Sequence, residues 1–167
     1  TLIIAPRQAS HDGSNNYPWL IPSGEEATRK LVTSDKCRIM VRDSDDAEVY
    51  DNSTNDFYMK PRVYLDALVN TPWIVGSQKT ISWTTTGTIS QLNLYYTTGG
   101  QNGNFGTVEV PGIDASGGST PWTIPSSAVS WGNGVVKVVR VESSVEDNDV
   151  IDKSENFTIK GKINVDP

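Results

Sequence analysis

The sequence repeats itself at a spacing of about 100 residues. "PWLIPS" (18–23) returns 103 positions later as "PWTIPS" (121–126), and "NDFYMK" (55–60) returns 100 positions later as "ENFTIK" (155–160). Self-similarity at a fixed period is typical of proteins built from repeated domains, and about 100 residues is an ordinary domain size. Any fold for this chain must therefore accommodate two copies of one pattern.

Further matches fix the boundaries of the repeat. "CRIMVRDS" (37–44) parallels "KVVRVESS" (137–144), and "KPRVYLD" (60–66) parallels "KGKINVD" (160–166), both at a spacing of 100. Upstream, "TLIIAPRQAS" parallels "TVEVPGIDAS" at a spacing of 106, so short loop differences account for the drift. The matches predict the C-terminal half of a first repeat in 1–60, a complete repeat in 61–160 and the start of a third in 161–167.

The half repeat carries a physical consequence. Residues 1–60 lack the partner strands that 61–106 supply in the complete repeat. Half a β-sandwich exposes its core face and its strand edges. We therefore expect this half to be ordered only when a second chain, a swapped strand or a retained fragment covers it.

The complete repeat has the pattern of an all-β domain. Short apolar stretches alternate with Gly, Asn and Pro turn signals every 8–15 residues, as in "QKTISWTTT" (78–86), where Ile81 and Trp83 share one face. Leu92 with Leu94, and Phe157 with Ile159, predict two further inward faces. The valines of 134–143 occupy both parities, which leaves a bulge or burial on both faces open. Seven such strands fit an immunoglobulin-type β-sandwich, although the Cys–Trp–Cys pattern of true immunoglobulin domains is absent.

The residues also resemble a known family. "VNTPWIVGSQKTISW" (69–83), "LNLYYTTGG" (92–100), "WTIPSS" (122–127) and "SENFTI" (154–159) are similar to the Ser/Thr-rich immunoglobulin-like repeat of large exported surface proteins. The resemblance covers essentially all of 61–160 and the matching half of 1–60. It implies tandem immunoglobulin-like sandwiches in an extracellular spacer or lattice, with no catalytic residues. The composition, which is acidic and poor in Cys, His and Met, further resembles prokaryotic surface-layer (S-layer) proteins.

Charge and composition exclude several classes of function. With 14 basic and 20 acidic residues the net charge is −6, which argues against nucleic acid and anionic lipid as partners. One Cys and one His leave little for nucleophilic or acid–base catalysis. No apolar run reaches the roughly 20 residues of a membrane-spanning helix. We therefore expect neither an enzyme nor a membrane-inserted chain.

Acidic residues concentrate in two equivalent stretches, 43–56 and 142–155, which we call the acidic windows. They hold 12 of the 20 acidic side chains, and both are expected to be hairpin loops. Ca²⁺ is a candidate ligand because it takes six to eight oxygens from such groups. The alternative is a solvated loop that maintains solubility, since neither window has the EF-hand spacing. The candidate metal ligands are Asp43, Asp45, Asp46, Asp147 and Asp149.

Single residues give weaker signals. Asn52 and Asn156 open N-x-Ser/Thr sequons and are glycosylation candidates, Asn156 facing outward if Phe157 faces inward. Trp19, Trp83 and Trp122 are expected to pack in the sandwich. Trp73 and Trp131 lie beside turns and are the only plausible sugar-stacking residues, although packing is the preferred interpretation for the tryptophans. Cys37 is expected to open a strand as a half-buried structural thiol, and His11 lies in a turn without a partner for metal or catalytic chemistry.

Together these features predict a structural extracellular module. The chain is expected to be part of a repeat-built surface-layer or cell-envelope protein that forms a coat, lattice or stalk at the cell surface. Its expected partners are neighbouring copies or repeats of the same protein, with cell-wall glycan as a further candidate. Calcium is the one cofactor left open. The alternative is an adhesin, or a carbohydrate-binding accessory module of a secreted polysaccharide hydrolase.

Overall fold

A computed structural model describes residues 34–68, 72–142 and 145–165. The chain divides into two compact units, Thr1–Lys60 and Pro61–Pro167. The described residues form thirteen β-strands and one short 3-10 turn, Ala115–Gly117, with no α-helix among them. The predicted all-β class is therefore confirmed.

The described part of the first unit, 34–60, contains two short strand pairs. Their strands are β1 (Ser34–Cys37), β2 (Met40–Arg42), β3 (Tyr50–Asn52) and β4 (Phe57–Met59). β1 pairs with β4 and β2 pairs with β3, both antiparallel. Cys37 ends β1, so the expectation that it opens a strand was wrong.

The second unit contains two larger sheets. The first has the order β10-β7-β5, with β5 (Arg62–Leu65), β7 (Gln78–Thr86) and β10 (Ser119–Thr123). The second has the order β6-β13-β11-β8-β9, and β12 also pairs with β11. Its strands are β6 (Trp73–Ile74), β8 (Gln91–Thr97), β9 (Val108–Asp114), β11 (Ser130–Glu142), β12 (Val145–Lys153) and β13 (Phe157–Lys160).

One apolar core lies between the inward faces of these two sheets. Ile81 and Trp83 of β7 are buried in it together with Leu92 and Leu94 of β8, as the alternating pattern predicted. Phe157 and Ile159 of β13 join them from the same sheet as β8. Burial of large side chains from both sheets is the main source of stability in such a unit.

The valines of β11 resolve the question of its inward face. Val135, Val136, Val138 and Val139 are all fully buried. The ladder of β11 also shifts in register between Ser130 and Gly134 and between Val139 and Arg140. Both explanations left open by the sequence therefore apply, namely burial on both faces and local bulges.

The edge strands β9 and β12 differ in how well the sequence predicts them. β9 is the last strand of its sheet, and its ladder shifts in register around Pro111, as expected of a strand that cannot donate there. β12 corrects a prediction, because most of the second acidic window is a nine-residue strand and not a loop. Residues 161–165, assigned to the start of a third repeat, are exposed and form no strand.

Candidate interaction surfaces

The first unit exposes apolar side chains on strands that have a partner along one edge. Val41 of β2 is 72% exposed and Met40 is 45% exposed, while Tyr50 and Tyr58 also face solvent. Among the described residues, β1 and β2 pair only with β4 and β3, so the opposite edge carries no strand. We call this side of β1–β2 the open edge.

The ladder positions of the open edge have counterparts in the second unit. Met40 lies opposite Asn52 as Val138 lies opposite Asp152, and the neighbouring pair on each ladder follows the same pattern. By its ladder partner, Met40 corresponds to Val138. A sequence spacing of 100 would instead match it to Arg140, two residues further along. A shift of two residues keeps each side chain on the same face. Val138 is fully buried where Met40 is half exposed.

The first acidic window contains β3 and, before it, a turn whose carboxylates bind its own backbone. Asp43 accepts hydrogen bonds from the amides of Asp45 (2.7 Å) and Asp46 (3.1 Å), which lower the pKa of its carboxyl below the usual 3.8. Asp46 in turn accepts from the amide of Glu48 at 2.9 Å. These bonds stabilise the turn between β2 and β3.

The second acidic window disperses its carboxylates along β12. Asp147 forms a salt bridge of 3.3 Å with Arg140 and accepts from the amide of Asp149 at 3.1 Å. Asp152 accepts from the amide of Leu65 at 2.7 Å. Within the described ranges, no group of three or more Asp, Glu, His or Cys residues is placed to hold a metal ion. The five candidate ligands are thus divided between two strand pairs.

The remaining predicted site residues lie at separate places. Asn52 and Asn156 are exposed, and Phe157 beside Asn156 is buried, so the predicted outward orientation is confirmed. Cys37 is half-buried and its thiol donates to the carbonyl of Ser34 at 3.7 Å. His11 and Trp19 fall outside the described residues.

The tryptophans separate into core and surface. Trp83 and Trp122 are buried as expected. Trp73 is buried with its ring centroid 4.6 Å from that of Phe157, which confirms packing and excludes the sugar-stacking alternative for this residue. β6 carries Trp73 into the core by pairing in parallel with β13. Trp131 is 81% exposed, so the two residues cannot form one flat stacking face.

A lysine and aromatic cluster was missed by the sequence analysis. The Nζ atom of Lys137 lies 4.4 Å from the ring centroid of Tyr95 and 4.8 Å from that of Phe105. The Nζ atom of Lys153 lies 5.2 Å from the ring centroid of Phe105. Lys153 also donates to the carbonyl of Gln101 at 3.0 Å. Burial, and secondly the charge of Lys153, lowers the pKa of Lys137. The cluster packs the loop 99–106 against the sheet. Its residues are far apart in the chain, so the sequence alone does not predict these contacts.

The second unit has a depression of about 440 Å³ beside Trp73. It is lined by Asp66, Ala67, Leu68, Trp73, Lys79, Thr80 and Ser82. Two hydroxyls, one carboxylate and one amine are present, and the described lining contains no histidine and no second carboxylate. The lining therefore offers neither a nucleophile with an adjacent imidazole base nor a carboxylate pair.

Comparisons of the chain with protein families, curated proteins and solved structures identify no relative. No family model, no curated protein and no solved structure gives a significant match to the chain. The described residues include no helix with the length and apolar character needed to span a bilayer.

Proposed function

We propose that this chain is a structural module of an exported, repeat-built protein of the cell surface, and that its repeats are immunoglobulin-like β-sandwiches in tandem. It forms part of a surface-layer coat, lattice or stalk and carries no catalysis of its own. Neighbouring copies or repeats of the same protein are its partners.

The observation that carries the proposal is the recurrence of one pairing pattern in both units. In the second unit the long strand β11 pairs at its start with β13 and further along with β12. In the first unit β1 pairs with β4, and β2, which begins three residues after the end of β1, pairs with β3. The closing strands β4 and β13 are also the segments related by the sequence spacing of 100. A shared arrangement of strands supports a shared fold.

The strand order of the second unit supports the immunoglobulin type. Its three-stranded sheet β5-β7-β10 corresponds to strands A, B and E, and β8, β11 and β12 with β13 correspond to C, F and G. The order of strands in immunoglobulin domains places A, B and E in one sheet and C, F and G in the other. The short strand β6 follows β5, the counterpart of strand A, and pairs in parallel with β13 in the other sheet.

The residues of the family motif support the same assignment. Trp73, Ile81 and Trp83 of the first half of the motif lie in the core, and Ile124 and Phe157 of the second half join them. The motif is thus a set of packing residues. A pattern used for packing is suited to a scaffold repeated many times and gives no site for chemistry.

The length, domain content and copy number of the parent protein distinguish this proposal from its alternative. The purified cell-envelope fraction is digested, and peptides of this sequence are mapped to a full-length chain whose copy number is measured. An abundant, very large chain with more such repeats is the expected result. A scarce chain in which these repeats accompany a catalytic domain would overturn the proposal.

The second candidate function is a carbohydrate-binding or adhesin module. One observation favours it, the exposure of the Trp131 indole at the start of β11. A Trp131→Ala variant tests it by sedimentation with insoluble cell-wall polysaccharide. If the native chain binds and the variant does not, the module is a binding domain.

A further inference from the structure

We infer that the open edge of the first unit is the acceptor site for an uncharged extended strand of the β8 type, supplied by another repeat. This inference rests on the repeat relation in the proposed function and adds a binding site, its occupant and its register. The occupant lies antiparallel to β1–β2, on the side away from β3 and β4.

The second unit shows the occupied form of the same edge. There β8 pairs with β11 over seven consecutive residues, with Leu94 opposite Val138 and Asn93 opposite Val139. Leu94 and Val138 are buried side by side in the core. On the opposite edge of β11 lies β12, just as β3 lies on one edge of β2.

Among the described residues, the first unit shows this edge without a paired strand. By their ladder partners, Met40 corresponds to Val138 and Val41 corresponds to Val139. Met40 and Val41 are exposed, whereas the two residues of β11 are fully buried. An exposed edge with apolar side chains presents unpaired N–H and C=O groups to a further strand. Strand addition satisfies these groups and covers the apolar face at once.

The composition of the occupant follows from the same comparison. The strand Gln91–Thr97, "QLNLYYT", has no charged residue and places leucine at alternate positions. In the register of the second unit, the second of these leucines lies beside Met40. Alternation matters because only one face of the added strand meets the core.

The test uses the full 167-residue chain and a synthetic peptide of residues 89–98. Hydrogen–deuterium exchange is followed by mass spectrometry with and without the peptide, at a concentration about ten times its dissociation constant. The amides of 38–42 that point away from β3 are expected to exchange about tenfold more slowly, as mass action requires for that occupancy. A peptide with both leucines replaced by serine is the matched control and is expected to give no protection.

Two internal comparisons make the result decisive. The amides of 135–141 are already paired with β8, so their exchange is expected to stay unchanged. A Met40→Asp chain, altered at an exposed position, is expected to lose the peptide-induced protection while retaining its far-ultraviolet circular dichroism. Absence of protection at 38–42, or equal protection by the serine peptide, overturns the inference. Neither result affects the copy number of the parent protein, so the proposed function is judged separately.

Discussion

Two buried tryptophans differ in one hydrogen bond, and this difference predicts unequal losses of stability for the same substitution. Trp83 and Trp122 are 3% and 2% exposed. The indole Nε1 of Trp83 donates to the carbonyl of Ala115 at 2.9 Å. The Nε1 of Trp122 is buried with no hydrogen-bond partner among the described residues. Replacing each by phenylalanine removes the same atoms from the core.

The magnitudes follow from this contrast. Both variants lose part of a ring and leave a cavity, at a cost of about 2 kcal/mol each. Trp83→Phe also loses a buried hydrogen bond and leaves Ala115 with only a 3.4 Å bond from Gly118, which adds about 1–2 kcal/mol. Trp122→Phe removes an unpaired buried donor and recovers about 1–2 kcal/mol. Trp83→Phe is therefore expected to be less stable than Trp122→Phe by about 2–4 kcal/mol.

Urea unfolding of the full chain measures the difference. Intrinsic fluorescence reports mainly on the second unit, because four of the five tryptophans lie in it. For a domain of this size the melting temperatures of the two variants should differ by roughly 10 °C or more. Equal stabilities within about 0.5 kcal/mol, the usual scatter of such measurements, would refute the reasoning.

Three further predictions concern buried polar groups and calcium. Ser154→Ala is expected to destabilise the chain by about 1–3 kcal/mol, because the Ser154 hydroxyl accepts from the buried amide of Val136 at 3.0 Å; urea unfolding should show a lower midpoint. Arg140→Ala is expected to cost about 3 kcal/mol, because it leaves the largely buried Asp147 carboxylate without its guanidinium; the double variant with Asp147→Asn should recover part of the loss. Millimolar Ca²⁺ is expected to change the melting temperature by less than about 1 °C, since the candidate ligands Asp43 and Asp147 already bind backbone amides and Arg140. A rise of several degrees would instead establish a calcium site.

The parts of the fold that follow from local pattern could be predicted from the sequence. Ile81 and Trp83 alternate with hydroxyl residues, and such alternation places one face of a strand inward whatever its partner is. The edge position of β9 has a similarly local cause, because Pro111 has no amide hydrogen to donate to a neighbouring strand.

Features that depend on distant partners could not be predicted in this way. β12 consists mainly of Asp, Glu and Asn, which are poor strand formers, and it is extended because β11 offers a long edge to pair with. Trp73 follows a proline and precedes a turn at Gly76, which suggested exposure, but parallel pairing with β13 carries it into the core. The bonds from Asp43 to its own loop likewise depend on side-chain geometry that residue type does not determine.

The central claim is that residues 1–60 and 61–160 repeat one fold, and calorimetry tests it most directly. A chain in which residues 61–106 are joined ahead of residue 1 supplies the first unit with the strands that complete its repeat. If the claim is correct, a second domain of about 100 residues forms and the calorimetric unfolding enthalpy rises by about 60–80 kcal/mol. An enthalpy unchanged from that of the 167-residue chain would contradict it, because the added strands would then have found no complementary half.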